Sequence, residues 1–216
     1  MSNRVMPTRR RQGLLFVVSA PSGTGKTSLC KELVASIRDV RYSVSYTTRP
    51  RRAPEVESEH YHFVDNKTFR AMVEADEFLE WAEVYGHFYG TPRQPLRQWR
   101  QEGIDVLLDI DTQGAAQIRQ RDPGAVSIYL LPPSLAVLRQ RLQNRQSDAP
   151  EEIARRLKKA KEEVKAYKEY KYVVINDDFK TAYRELEAIV LAERNSTGAL
   201  DLSSLEQALT DTEEER

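Results

Sequence analysis

The 216-residue chain has one cysteine, Cys30, which excludes an internal disulfide and a cysteine-based zinc site. Its three histidines, His60, His62 and His87, follow no metal-ligand spacing. No apolar run approaches the length of a membrane span. The basic start (Arg4, Arg9, Arg10, Arg11) leads into only five consecutive apolar residues, Leu14 to Val18, too few for the hydrophobic region of a signal peptide. The expected location is the cytoplasm, with Cys30 a reduced core residue. An excess of charge of either sign is also missing: 33 Lys and Arg balance 33 Asp and Glu. A neutral chain carries no overall footprint for nucleic acid or an anionic membrane, so any phosphate binding must rest on local clusters. No internal repeat is present. The expected partners are therefore small molecules, without nucleic acid or membrane, for a monomer or small homo-oligomer.

What is there begins at Leu14. The apolar run Leu14, Leu15, Phe16, Val17, Val18 stops at Ser19, a glycine-rich turn follows, and Leu29, Leu33 and Ile37 then recur at helical spacing. Strand, loop and helix in that order frame Ala20, Pro21, Ser22, Gly23, Thr24, Gly25, Lys26 and Thr27. This is the phosphate-binding loop pattern except that Ala20 stands at its first glycine. Gly23 and Gly25 let backbone N–H groups curl toward phosphate oxygens, and the helix N-terminus adds its positive end. Lys26 supplies a mobile charge and Thr27 a hydroxyl suited to Mg2+. Ala20 is harmless there if its φ stays negative.

Farther along, Tyr42, Val44 and Tyr46 alternate with Ser43, Ser45 and Thr47, which predicts one strand ending before Pro50. Arg49, Arg51 and Arg52 follow; taken alone they are as well read as a solvated loop, but a phosphate loop holds one reactant only, and arginine forks suit a second phosphate. A short helix is predicted over Asn66 to Ala75, then an extended stretch with Phe78, Glu80, Trp81, Tyr85 and Tyr89. Residues 103–114, GIDVLLDIDTQG, read as a strand buried on both faces that runs into acids. Acids at the carboxyl end of such a strand organise Mg2+ in phosphate-loop proteins, or cap the next helix; the two readings are compatible. Asp109 is the candidate for a Mg2+ water or an arginine, and Thr27 with Asp109 for the metal.

The runs SVSYTTRPRRAPEVESEHYHFV, FLEWAEVYGHFYGT and VLLDIDTQGA, in that order after the phosphate loop, resemble the guanylate kinase family over roughly residues 13 to 195. Each motif alone is modest, but the ordered set is specific. The resemblance implies an α/β fold, a P-loop NTPase three-layer core with a parallel central sheet, plus an inserted GMP-binding lobe and a helical lid. It implies transfer of the γ-phosphoryl group of ATP, as its Mg2+ complex, to GMP. Positions matching Arg49, Arg52, Tyr61 and Tyr89 hold the GMP phosphate in the family, and those matching Ser45, Glu80, Thr91 and Asp111 read guanine. The chemistry agrees: a carboxylate accepts both N1–H and the N2 amino group of guanine, whereas adenine offers neither. Leaving such a buried group unpaired can cost about 10⁴-fold in discrimination. Thr91 replaces a common serine and keeps the hydroxyl.

Two helical segments flank the polar hinge NRQSDAPEE, where Ser147 or Asp148 is placed to cap the second; its face is basic, with Arg139, Arg141, Arg145, Arg155, Arg156, Lys158 and Lys159. In the resemblance this is the lid, with Arg145 and Arg156 closing on ATP and Gln146 replacing the family's glycine. Asn176, ending YKYVVIN, matches an asparagine near adenine, and the NKxD signature of regulatory GTPases is absent. A last helix is predicted over Phe179 to Arg194, then an acidic tail with room for one short helix. The expected units are a core of 13–43, 95–138 and 166–195, a GMP lobe of 44–94, a lid of 139–165, and flexible tails at 1–12 and 196–216. The competing expectations are a binding module that has lost catalysis, against which Lys26, Thr27 and the arginines speak, and a kinase of another phosphorylated acceptor, against which the guanine-reading set speaks.

Overall fold

A computed structural model of the chain describes residues 11–144 and 150–210. Its centre is β1 (Leu15–Ser19), five residues that are all buried. Phe16 and Val18 face Leu29 and Leu33 of α1 (Lys26–Ser36) and Leu186 and Val190 of α7 (Phe179–Arg194). Leu15 and Val17 face the other way, onto Leu96 of α3 (Arg93–Gln101) and Ile118 of α4 (Thr112–Arg121). A strand covered by helices on both faces must be apolar at every position, which is why the run carries no alternation. Each large apolar side chain removed from water there contributes roughly 1.5–3 kcal/mol.

The central sheet has five strands in the order β2 (Val40–Tyr42), β7 (Asp105–Asp109), β1, β8 (Val126–Leu131) and β9 (Tyr172–Ile175), every pairing parallel. Parallel pairing puts all carboxyl ends on one edge, and β1 lies where the chain winds outward both ways, the usual seat of a ligand. A second, mixed sheet holds β4 (His62–Phe63), β3 (Tyr46–Thr47), β6 (His87–Pro92) and β5 (Phe78–Val84). Phe69 of α2 (Asn66–Glu74) stacks on Phe78, centroids 4.6 Å apart, and gives this sheet its own apolar face. Helices α5 (Leu135–Gln143) and α6 (Pro150–Glu163) pack on each other through Leu138, Leu142, Leu157 and Ala160. The tail forms α8 (Ser203–Thr210). Among the described residues no helix is long and apolar enough to cross a membrane.

The single strand expected over Tyr42 to Thr47 is instead two. β2 belongs to the central sheet and β3 to the second one, with Ser43 still donating its N–H to Leu107 at 3.0 Å before the chain crosses over. Alternation reports which face a side chain takes and says nothing of which sheet receives the backbone hydrogen bonds. Asp105, at the amino end of β7, is also unlike its apolar neighbours. It is fully buried, pairs with Arg11 and with Arg194 (Nε 2.6 Å), and accepts from the Leu14 N–H at 2.8 Å. Full pairing of this kind is what allows a carboxylate inside a core.

Candidate active site

The loop between β1 and α1 lies at the carboxyl edge of the sheet. Gly23 and Gly25 have φ of 91° and 97°, the left-handed backbone that turns successive N–H groups inward. A Cβ at Gly25 would also meet Asn176 Nδ2 at 2.6 Å. Ala20 is not among the positive-φ residues, so its missing glycine leaves the loop unstrained. Asn176 is 4% exposed and donates from Nδ2 to the Thr24 carbonyl at 2.6 Å. It therefore ties the phosphate loop to the end of β9.

Facing the loop is the end of β7. Asp109 pairs with Lys26 and accepts hydrogen bonds from the Thr27 hydroxyl (2.7 Å) and the Tyr42 hydroxyl (3.1 Å). Lys26 Nζ also donates to the Ile110 carbonyl at 2.8 Å. Burial pulls the Lys26 pKa down, but the Asp109 carboxylate outweighs it and the net direction is up, so the ammonium stays charged. Asp111 caps α4 by accepting from the Gly114 N–H at 2.9 Å while lining the same cleft. The helix-cap role thus belongs to Asp111, and Asp109 is taken up by the phosphate loop.

Across a cleft of about 400 Å³ stand Arg49, Arg52, Tyr61 and Tyr89. Arg49 lies 5.5 Å from the Tyr61 ring centroid, and the rings of Tyr61 and Tyr89 meet edge-on at 5.8 Å. Glu55, missed in the sequence, holds Arg49 Nη2 at 2.6 Å and the Arg52 N–H at 2.8 Å. It keeps the arginine fork in the cleft as a phosphate would. Deeper in is Glu80 on β5, 3% exposed, with Oε1 accepting from the Thr91 hydroxyl at 2.5 Å. Burial pushes the Glu80 pKa up to about 7; the Thr91 hydrogen bond opposes this and the Asp111 charge adds to it. Thr91 is fully buried behind Glu80, and neither it nor Ser45 lines the cleft; Ser45 offers its backbone carbonyl to the His62 N–H at 2.9 Å.

The helix α6 closes the cleft from the side. Arg156 reaches Ser22 Oγ at 3.4 Å and is held by Glu152 at 2.9 Å. Arg145, Gln146, Ser147 and Asp148 lie outside the described residues. Arg141 of α5 contacts the loop, donating to the Thr24 carbonyl at 3.3 Å and the Asp177 carbonyl at 3.4 Å. Sequence reading gave it no individual role.

A glycine-rich loop, its lysine and threonine on a β-strand acid, and a parallel sheet ending in one cleft define a nucleotide-binding protein of the P-loop kinase class. A family profile described as guanylate kinase matches residues 12–193. The guanylate kinase of Geobacter metallireducens is 48% identical over 188 residues, 87% of this chain and 93% of that one. That of Symbiobacterium thermophilum is 44% identical over 211 residues, 95% of this chain and 100% of the relative. A crystal structure of guanylate kinase from Anaplasma phagocytophilum superposes with a TM-score of 0.77 at 33% identity, covering 90% of this chain and 93% of that one. The chain belongs to the guanylate kinase family.

Proposed function

We propose that the chain transfers the γ-phosphoryl group of ATP to GMP, giving ADP and GDP, and that the cleft between the two sheets is where the reactants meet. The observation that carries this is the buried Glu80 carboxylate, one oxygen fixed by Thr91, in the same cleft as the phosphate loop. With Asp111 beside it in the cleft, it supplies acceptors for the N1–H and N2 amino group of guanine, while the Thr91 hydroxyl steadies the Glu80 carboxylate. Arg49, Arg52, Tyr61 and Tyr89 take the GMP phosphate. Residues 20–27, Lys26 above all, take the ATP phosphates, and Asn176 keeps the loop in shape. A cytoplasmic setting and units of 44–94 for GMP and 139–165 for the lid belong to the same proposal.

The acceptor is a phosphate oxygen that is anionic at neutral pH, so no general base is needed. Catalysis rests on positioning and on neutralising charge with Lys26, Arg49, Arg52, Arg145 and Arg156. Lys26 is held on Asp109 until phosphate oxygens compete for it. Closure of the lid excludes water and suppresses ATP hydrolysis. The Thr27 hydroxyl and Asp109 carboxylate, 2.7 Å apart, are hard oxygen donors that suit Mg2+. No cluster of three metal-ligating side chains occurs among the described residues, which fits an ion held mainly by phosphates with one or two protein ligands. When bound, Mg2+ supplies charge neutralisation at the transferring phosphates.

The test is ADP formation from MgATP with GMP, AMP, CMP and UMP offered separately against an acceptor-free blank. Turnover confined to GMP is expected. Equal turnover with another monophosphate would remove Glu80 from base reading, and no acceptor-dependent turnover would overturn the reaction itself.

A further inference from the structure

Tyr85 occupies a position that its residue type does not suit. It is the first of the two residues joining β5 to β6, with φ of 54°, and Gly86 follows at 80°. Two successive positive φ values are the mark of a type I′ hairpin turn, for which Asn-Gly is the preferred pair and a bulky aromatic a strained choice. The turn itself gains nothing from a tyrosine. Its ring lines the cleft, and three cations of α6 gather on it: Arg155 at 4.5 Å, Lys159 at 4.7 Å and Arg156 at 6.0 Å from the centroid. Each cation also has an acid on its own helix, Glu152 for the two arginines and Glu163 for Lys159, so α6 arrives as a charged surface already ordered. Arg156 at the same time touches Ser22 of the phosphate loop. The helix is thus spanned between the phosphate loop on one side and a single aromatic ring of the second sheet on the other.

We infer that Tyr85 is a positioning residue: its ring docks α6 onto the second sheet and so aims Arg156 at the transferring phosphoryl group. This rests on the proposed role of Arg156 at the ATP phosphates. The attraction of a cation for a ring face strengthens as water leaves, so the contact is worth most in the closed cleft, where the transfer occurs. A ring without the hydroxyl does the same work, and a side chain without a ring does not.

The experiment measures kcat, KM for GMP and ATP, and Tm for Tyr85→Asn and Tyr85→Phe, each alone and combined with Arg156→Ala. Tyr85→Asn is expected to keep or raise Tm, because Asn-Gly suits the turn, while kcat falls about three- to thirtyfold. KM for GMP should move much less, and Tyr85→Phe should stay within about twofold of the parent. With Arg156 already removed, Tyr85→Asn should cost clearly less, since both changes disable one device. Parental kcat in Tyr85→Asn, an equal loss in Tyr85→Phe, or the same fold-loss in both backgrounds would overturn the docking role. Should Tyr85→Asn not fold, Tyr85→Gly also accepts the left-handed backbone and is read the same way. An Arg156→Ala variant with parental kcat would instead sink the underlying assignment of Arg156. A damaged Arg156→Ala beside a parental Tyr85→Asn sinks the docking alone.

Discussion

A Cβ on Gly114 would stand 2.3 Å from Oε2 of Glu80 and 2.9 Å from its Cδ. The first turn of α4 is packed so closely against the Glu80 carboxylate that only a hydrogen atom fits between them. The N–H of the same glycine donates to Asp111, so one residue without a side chain spaces both acids of the proposed guanine pocket.

Gly114→Ala should therefore displace Glu80 while leaving the helix intact, since alanine is the better helix former by about 1 kcal/mol. KM for GMP is expected to rise by about tenfold or more, as a lost charge-assisted hydrogen bond does, with KM for ATP little changed. Steady-state kinetics with each substrate varied in turn checks this. An unchanged KM for GMP would mean that Glu80 does not read the base from this position.

The raised pKa of Glu80 gives a pH signature. The carboxylate must be ionised to accept from guanine, so KM for GMP should rise as pH falls through about 7, and Glu80→Gln should abolish that dependence and relax the preference over AMP. Stability follows the opposite sign. The folded pKa lies above the usual 4.5, so the fold favours the protonated form; Glu80's contribution is full below about 4.5 and lost as pH rises through about 7. Melting curves of parent and Glu80→Gln at several pH values should converge toward the acid end of that window.

Lys26→Ala is expected to lower kcat by about 10²- to 10³-fold or more with near-parental Tm. Asp109 keeps the hydroxyls of Thr27 and Tyr42 after the lysine is gone, so its carboxylate is not left bare. Near-normal turnover in a folded variant would remove Lys26 from the chemistry.

Asp105→Ala tests the other end of the same strand. It leaves Arg11 and Arg194 around a buried space with no acid, a loss of about 3–5 kcal/mol. Denaturant unfolding should show it, while kcat measured well below the new Tm stays parental. A variant as stable as the parent would show that the arginines find other partners.

The core was legible in the sequence because its signals are local. The apolar run of β1, the glycines of the loop and the spacing of α7 each lie within one short window. The cleft residues Lys26, Arg49, Glu80 and Asp109 could be named through ordered motifs. What brings them together could not, because it depends on residues distant in sequence whose types are unremarkable. Gly114 reads as an ordinary helix glycine until Glu80 is seen beside it. Glu55 reads as one of many surface acids until Arg49 is seen against it, and nothing in the sequence ties Asn176 to the Thr24 carbonyl. The break after Tyr42 was hidden for a related reason: side-chain alternation persists while the hydrogen bonding moves to a second sheet.

Because Arg11 and Arg194 grip one carboxylate at the amino end of β7, they lie within side-chain reach of each other, and the nucleotide cleft opens at the opposite end of that strand. Residues 11 and 194 are therefore natural points for a tether. A surface anchor, a fluorophore or a fused domain attached near either one would sit at the end of the central sheet away from the cleft and leave the cleft mouth clear.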